Sequence, residues 1–159
     1  MKLFKLTIIV SLILLMVGPA SAGLFPMVAE MNGANANAGA GTGSEGTGTA
    51  NISYDDVSKI LSWSITWSGL TGTPTAMHFH GPALPNQNAG VQVGVGVVGT
   101  PVVGNAVLTL AQEVDLFAGM WYLNLHTTTS PGGEIRGTVG SVGVANEAAS
   151  WGAIKAIFR

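Results

Sequence analysis

An all-β fold, a sandwich or barrel of short strands, is predicted by three observations. The stretch "LSWSITWS" alternates Leu61, Trp63, Ile65 and Trp67 with Ser62, Ser64, Thr66 and Ser68, the period-two pattern of a half-buried strand. Further short β-prone segments, "TAMHFH", "GVQVGVGVV", "NAVLTL", "MWYLNLHT" and "GEIRGTV", follow at intervals marked by Gly, Pro and Asn. Composition agrees: charged residues make up only 9% of the chain, while Gly, Ala, Val and Thr abound.

Taken in order, residues 1–22 read as an export signal, with Lys2 and Lys5 before an apolar run from Leu6 to Val17 and small residues in "PASA" before Gly23. That run is too short to span a bilayer, and no later segment reaches the roughly 18 to 20 apolar residues a membrane helix needs. The expected product is therefore exported, to the periplasm, the cell surface or the medium, with no transmembrane segment. Residues 23–140 form one domain, and residues 141–159 a tail. Without cysteine the chain has no disulfide, thiolate metal site or lipoprotein-type anchor.

Beyond residue 22, Lys59, Arg136, Lys155 and Arg159 face eight acidic residues, a formal charge of −4. A basic nucleic-acid footprint is absent.

The run "NGANANAGAGTGSEGTGTA" is, in its first half, too rich in small residues for a core strand and is expected to be a mobile loop. "GTGTANISYD" then supplies a hairpin partner for "LSWSITWS", joined by "DDVSK". Trp63, Trp67 and Trp121 are expected core aromatics. One short helix is predicted in "TLAQEVDLFAG": Thr109 and Gln112 have capping-box spacing, Leu110, Val114 and Phe117 recur on one face, and Gly119 can end the turn. Glu113 and Asp115 would lie on its solvated side. The tail "NEAASWGAIKAIFR" has the pattern of a second helix, capped by Asn146 and carrying Trp151, Ile154 and Phe158 on one face.

The chain has three histidines, confined to two stretches: "MHFHGPALPNQNAG" and "MWYLNLHTTTSPGGEIRGTV". On a strand, residues i and i+2 share a face, so His78 and His80 stand about 6 to 7 Å apart, a separation suited to two ligands of one ion. The same alternation puts Trp121, Leu123 and Leu125 towards the core and Tyr122, Asn124 and His126 on the other face. It also pairs Ile135 with Val139, and Glu134 with Arg136 and Thr138. If these strands are neighbours, His78, His80, His126, Tyr122, Asn124, Glu134 and Arg136 converge on one polar patch, with Thr127 close by.

"HFHGPALPNQNAG", followed some 30 residues later by "LFAGMWYLNLHTTTSPGGEIRGTV", closely resembles the CHRD domain, a module first described in chordin and also found in exported bacterial and archaeal proteins. The resemblance extends upstream through "GTGTANISY" and "LSWSITWSGLTGTPTAMHFH" to cover roughly residues 25 to 140. Only "NGANANAGAG" departs from the family's more proline-rich pattern. The resemblance implies an extracellular location and an immunoglobulin-like or related β-sandwich, but it carries no settled ligand. The His-x-His pair, the distant third His and the late Arg are also similar to part of the copper site of Cu/Zn superoxide dismutases, likewise β-sandwiches. The likeness is partial, because this chain lacks a fourth copper histidine, any histidine for zinc, and the disulfide. The expected fold is thus a Greek-key β-sandwich, immunoglobulin-like or superoxide dismutase-like.

Two accounts of the polar patch stay open. Its residues can form a hydrogen-bond network that fixes strand register, with Tyr122, Asn124, Thr127, Glu134 and Arg136 in supporting roles. Alternatively, His78, His80 and His126 can hold copper, or zinc with an open position. No nucleophile–base pair, paired acids or phosphate loop is present, which leans against an enzyme. The expectation is a non-catalytic extracytoplasmic module that binds an extracellular protein or surface ligand. Its alternative is a copper redox protein in which Arg136 steers an anionic substrate.

Overall fold

The computed structural model describes residues 23–97 and 99–142. The export signal and the expected tail helix lie outside the described residues. Nine strands, β1 (Leu24–Asn32), β2 (Thr47–Asp55), β3 (Ile60–Ser68), β4 (Pro74–His80), β5 (Val91–Gly94), β6 (Val102–Val107), β7 (Tyr122–Thr127), β8 (Ile135–Thr138) and β9 (Gly140–Ser141), are joined by one helix, α1 (Leu110–Phe117).

All ladders are antiparallel, and the strands follow one path, β5-β4-β7-β8-β1-β2-β3-β6, with β9 also paired to β1. The two layers expected of a sandwich are therefore halves of one continuous sheet that curls back on itself, close to a barrel. Trp63 on β3 meets Phe79 on β4 across the interior, ring centroids 5.4 Å apart, and Phe79 in turn contacts Trp121 at 6.2 Å. Period-two alternation supplies the filling: Ala50, Ile52 and Tyr54 on β2, Leu61, Trp63 and Ile65 on β3, Met77 and Phe79 on β4, Leu123 and Leu125 on β7 are all buried. Trp67, at the end of β3, is only half-buried against this core.

The β2–β3 hairpin is set by chain chemistry. Asp55 accepts hydrogen bonds from the amides of Val57 (2.9 Å) and Ser58 (3.2 Å), and Lys59 takes a left-handed conformation at φ 61° to close the turn. Helix α1 starts as predicted, with the reciprocal capping box between Thr109 and Gln112. Thr109→Ala is expected to lower stability by about 1 kcal/mol, read as a small fall in urea midpoint with an unchanged slope.

The helix's apolar face is not the one anticipated. Leu110 and Val114 are 70% and 67% exposed, whereas Leu116 is buried and Phe117 stacks edge-on against Phe25 and Tyr54. The apolar contact of this two-turn helix is made through its C-terminal corner, while Gln112 in the first turn donates to the Gln92 carbonyl on β5 at 3.2 Å, so a full apolar stripe has nothing to pack against. Glu113 is not simply solvated either: it pairs with Lys59 at 2.9 Å, tying the helix to the β2–β3 turn. No helix among the described residues is long and apolar enough to cross a membrane.

Residues 33–46, expected to be mobile, form a defined loop. It contains a short 3-10 turn (Asn37–Gly39), with Asn37 and Ala38 in left-handed conformation. Thr42 and Ser44 anchor it by donating to the carbonyl and carboxylate of Glu134 (2.9 and 2.6 Å). Composition alone did not reveal the anchor, which lies some 90 residues away.

Candidate metal centre

Strand order decides which side chains meet. β7 lies between β4 and β8, with His78 opposite Asn124, His80 opposite Tyr122, and Asn124 opposite Arg136. The outward face of these three strands therefore gathers His78, His80, Tyr122, Asn124, His126 and Arg136. One nitrogen from each histidine lies within 4.8 Å of the others. The rings are close together, with His78 to His80 centroids at 5.5 Å, His78 to His126 at 5.2 Å, and His80 to His126 at 5.8 Å.

Backbone carbonyls orient two of the rings. His80 Nδ1 lies 3.0 Å from the Ala89 carbonyl, and His126 Nδ1 lies 2.8 Å from the Pro131 carbonyl. A carbonyl can only accept, so each Nδ1 carries the proton and each Nε2 is left as an acceptor, unpartnered in His80 and 3.4 Å from both His78 Nδ1 and Asn124 Nδ2 in His126. This is the second-sphere arrangement that fixes the tautomer of metal-binding histidines. His78 Nδ1 sits 3.4 Å from His126 Nε2, so these two rings are in direct contact.

The orphaned atoms point the same way. His80 is only 8% exposed and its Nε2 has no partner; Asn124 is 6% exposed and its Oδ1 has none. A buried polar atom without a partner calls for an explanation, and an ion at the centre of the histidines supplies one for Nε2. Asn124 Nδ2 donates to the Gly132 carbonyl at 3.1 Å, so this side chain ties the β7–β8 turn beside the histidines. Gly133, at φ 123°, leaves room for that amide, with which an added Cβ would collide.

Burial lowers the pKa of His78 below the ordinary histidine value, and the neighbouring His126 charge adds to this. Burial also lowers that of His80, with the bond to Ala89 opposing and His126, His78 and Arg136 reinforcing. Both rings are thereby held neutral, the form that ligates. A lowered histidine pKa in the fold means that the unfolded chain takes up protons first on acidification. Stability should therefore hold above the ordinary value near 6.5 and fall as pH drops below it. The check is the melting temperature between pH 7.5 and 5, whose decline should be shallower in His80→Gln.

Arg136 is buried, without a carboxylate partner among the described residues. Its guanidinium lies 3.4 Å from the Tyr122 ring centroid and donates to the Gln87 carbonyl (2.7 Å) and Asn88 Oδ1 (3.2 Å). Arg136 is thus committed to the β4–β5 loop, which does not suit it to steer an anion from solvent.

Glu134 and Thr127, expected near the histidines, meet each other elsewhere. Thr127 donates to Glu134 Oε2 at 2.7 Å, and the fully buried carboxylate also accepts from Ser44 and from the amides of Thr71 and Gly72. Strand alternation fails here because Glu134 precedes the regular part of β8, just after the left-handed Gly133. Burial alone would raise its pKa, but hydrogen bonds from Ser44, Thr127 and Thr71 outweigh it and pull the value down to about 2.

Missed by sequence reasoning were the main-chain groups of Gln87, Ala89 and Pro131. Backbone acceptors carry no side-chain signal; the Pro- and Asn-rich character of the β4–β5 loop was the only hint.

Fold and face together define a cysteine-free antiparallel β domain carrying a three-histidine cluster on the outside of its sheet. The chain matches the CHRD domain over residues 27–139 and belongs to that family. No curated protein and no solved structure matches it.

Proposed function

We propose that this CHRD domain is an exported, non-catalytic binding module whose outward histidine cluster, His78, His80 and His126, holds a single copper ion. The observation that carries this reading is the pair of Nδ1-to-carbonyl bonds, which leave Nε2 of His80 and of His126 unprotonated towards the cluster, that of His80 without any partner. A network built only to fix register would have no need of an unpartnered buried Nε2. Three neutral imidazoles with no carboxylate or thiolate suit copper or zinc, and the ordinary order of divalent affinities places copper above zinc. Half-exposed His78 and His126 leave the ion a position open to solvent or to a partner's donor atom.

Residues 1–22 support export, as does membership of a family with extracellular members. The redox alternative loses its substrate-steering element, because Arg136 is enclosed.

The test is a titration of residues 23–159 with copper and zinc, following stoichiometry and melting temperature. One equivalent of copper is expected to bind and to raise the melting temperature, since an ion at 100 times its Kd adds about 2.7 kcal/mol. Zinc should bind more weakly. An unchanged melting curve with no stoichiometric ion would overturn the reading.

A further inference from the structure

His80 is held by a chain of contacts that begins at Arg136, a residue that does not touch it. The Tyr122 ring stacks parallel to the His80 ring, centroids 5.0 Å apart and planes 5° apart, and carries the Arg136 guanidinium 3.4 Å from its centroid. Strand order β4-β7-β8 puts His80 and Arg136 on opposite sides of Tyr122, so the three form one stack. A second route runs through the β4–β5 loop. Arg136 binds Gln87 and Asn88, the Ala89 amide donates to the Tyr122 hydroxyl at 3.0 Å, and the Ala89 carbonyl accepts from His80 Nδ1. Three consecutive loop residues are thus fastened to the face by one cation, one phenol and one imidazole.

A buried cation with no anion among the described residues is costly unless its donors are well used. Here they are spent on a carbonyl, an amide and an aromatic face, a set that only a planar, forked guanidinium can serve at once. Lysine could reach one of these acceptors but not present a flat face to Tyr122 as well.

We infer that Arg136 is a positioning residue for the histidine cluster: by clamping Gln87–Asn88 and stacking on Tyr122 it seats Ala89 and so fixes His80 with Nδ1 protonated and Nε2 facing the ion. The inference rests on the metal reading for its functional meaning, but the orientation of His80 can be measured without any metal.

The experiment has two readouts on residues 23–159. The first is the His80 tautomer in the metal-free protein at pH 7.5, from 15N chemical shifts of the imidazole nitrogens. The wild type should show a protonated Nδ1, and Arg136→Lys a mixture of tautomers. The second is copper affinity by competition with a chromophoric chelator, together with the electron paramagnetic resonance spectrum of the copper form. Arg136→Lys should weaken copper by about 10- to 100-fold, the usual effect of losing an outer-sphere partner, and alter the nitrogen hyperfine pattern. Ile52→Val, a core substitution remote from the cluster, serves as control: it should lower the melting temperature and leave both readouts unchanged. An unchanged His80 tautomer in a folded Arg136→Lys protein overturns the inference whatever the copper result. Wild-type protein that binds no copper, yet loses its His80 tautomer in Arg136→Lys, overturns the metal reading and keeps the positioning role.

Discussion

Glu134→Ala is expected to be the most destabilising single substitution in the domain, at about 3 to 5 kcal/mol, a large part of the roughly 5 to 15 kcal/mol that holds a typical domain folded. The Glu134 carboxylate is fully buried and accepts from two loops and a strand end: Ser44 from β1–β2 (2.6 Å), the amides of Thr71 (2.6 Å) and Gly72 (3.3 Å) from β3–β4, and Thr127 at the end of β7 (2.7 Å). Its removal takes the carboxylate from all of these donors together and leaves the glycine-rich loop held to residue 134 only by Thr42 on the main-chain carbonyl. Glu134→Gln should recover part of the loss, since one oxygen remains while the new amide turns a donor towards donors. Because the folded carboxyl titrates near 2, its contribution is complete above the ordinary carboxylate range and is lost as pH falls towards 2. Urea unfolding at pH 7 and pH 3 measures both effects. A loss below 1 kcal/mol for Glu134→Ala would contradict this role.

His80→Ala is expected to have the largest effect on ion binding, reducing copper affinity by more than the 10- to 100-fold that loss of an outer-sphere partner costs. His80 is the most enclosed of the three and the one whose orientation is set from two directions, by the Ala89 carbonyl and by the Tyr122 ring. Two half-exposed imidazoles, His78 and His126, would remain, with freedom to turn towards solvent. The metal-free protein should also melt earlier, because the Ala89 carbonyl loses its donor and the Tyr122 ring its stacking partner. The measurement is chelator competition on His78→Ala, His80→Ala and His126→Ala, each checked for a cooperative melt. Equal, small losses for all three would mean adventitious surface binding.

Strand alternation explains why the cluster could be read from residue order. His78 and His80 share one face of β4, Asn124 and His126 share one face of β7, and the structure makes these strands neighbours. The same rule placed Trp121, Leu123 and Leu125 in the core, and the capping spacing at Thr109 located α1. It misplaced Glu134, because alternation holds only within extended chain and residue 134 lies before it. It misassigned the buried face of α1, because periodicity states which residues align but not whether a surface awaits them. It treated "NGANANAGAGTG" as unanchored, because the anchor is the distant Glu134. Most of the arrangement that orients the histidines was invisible for a simpler reason: it is made by the carbonyls of Ala89 and Pro131, which every residue type possesses.

The central claim is that the three imidazoles meet at one ion, and copper K-edge X-ray absorption of the loaded protein addresses it most directly. The account predicts three imidazole nitrogens at about 2.0 Å, with outer-shell scattering from histidine rings that falls to two rings in His126→Ala. A first shell of oxygen donors without imidazole scattering, or a spectrum indifferent to His126→Ala, would contradict it.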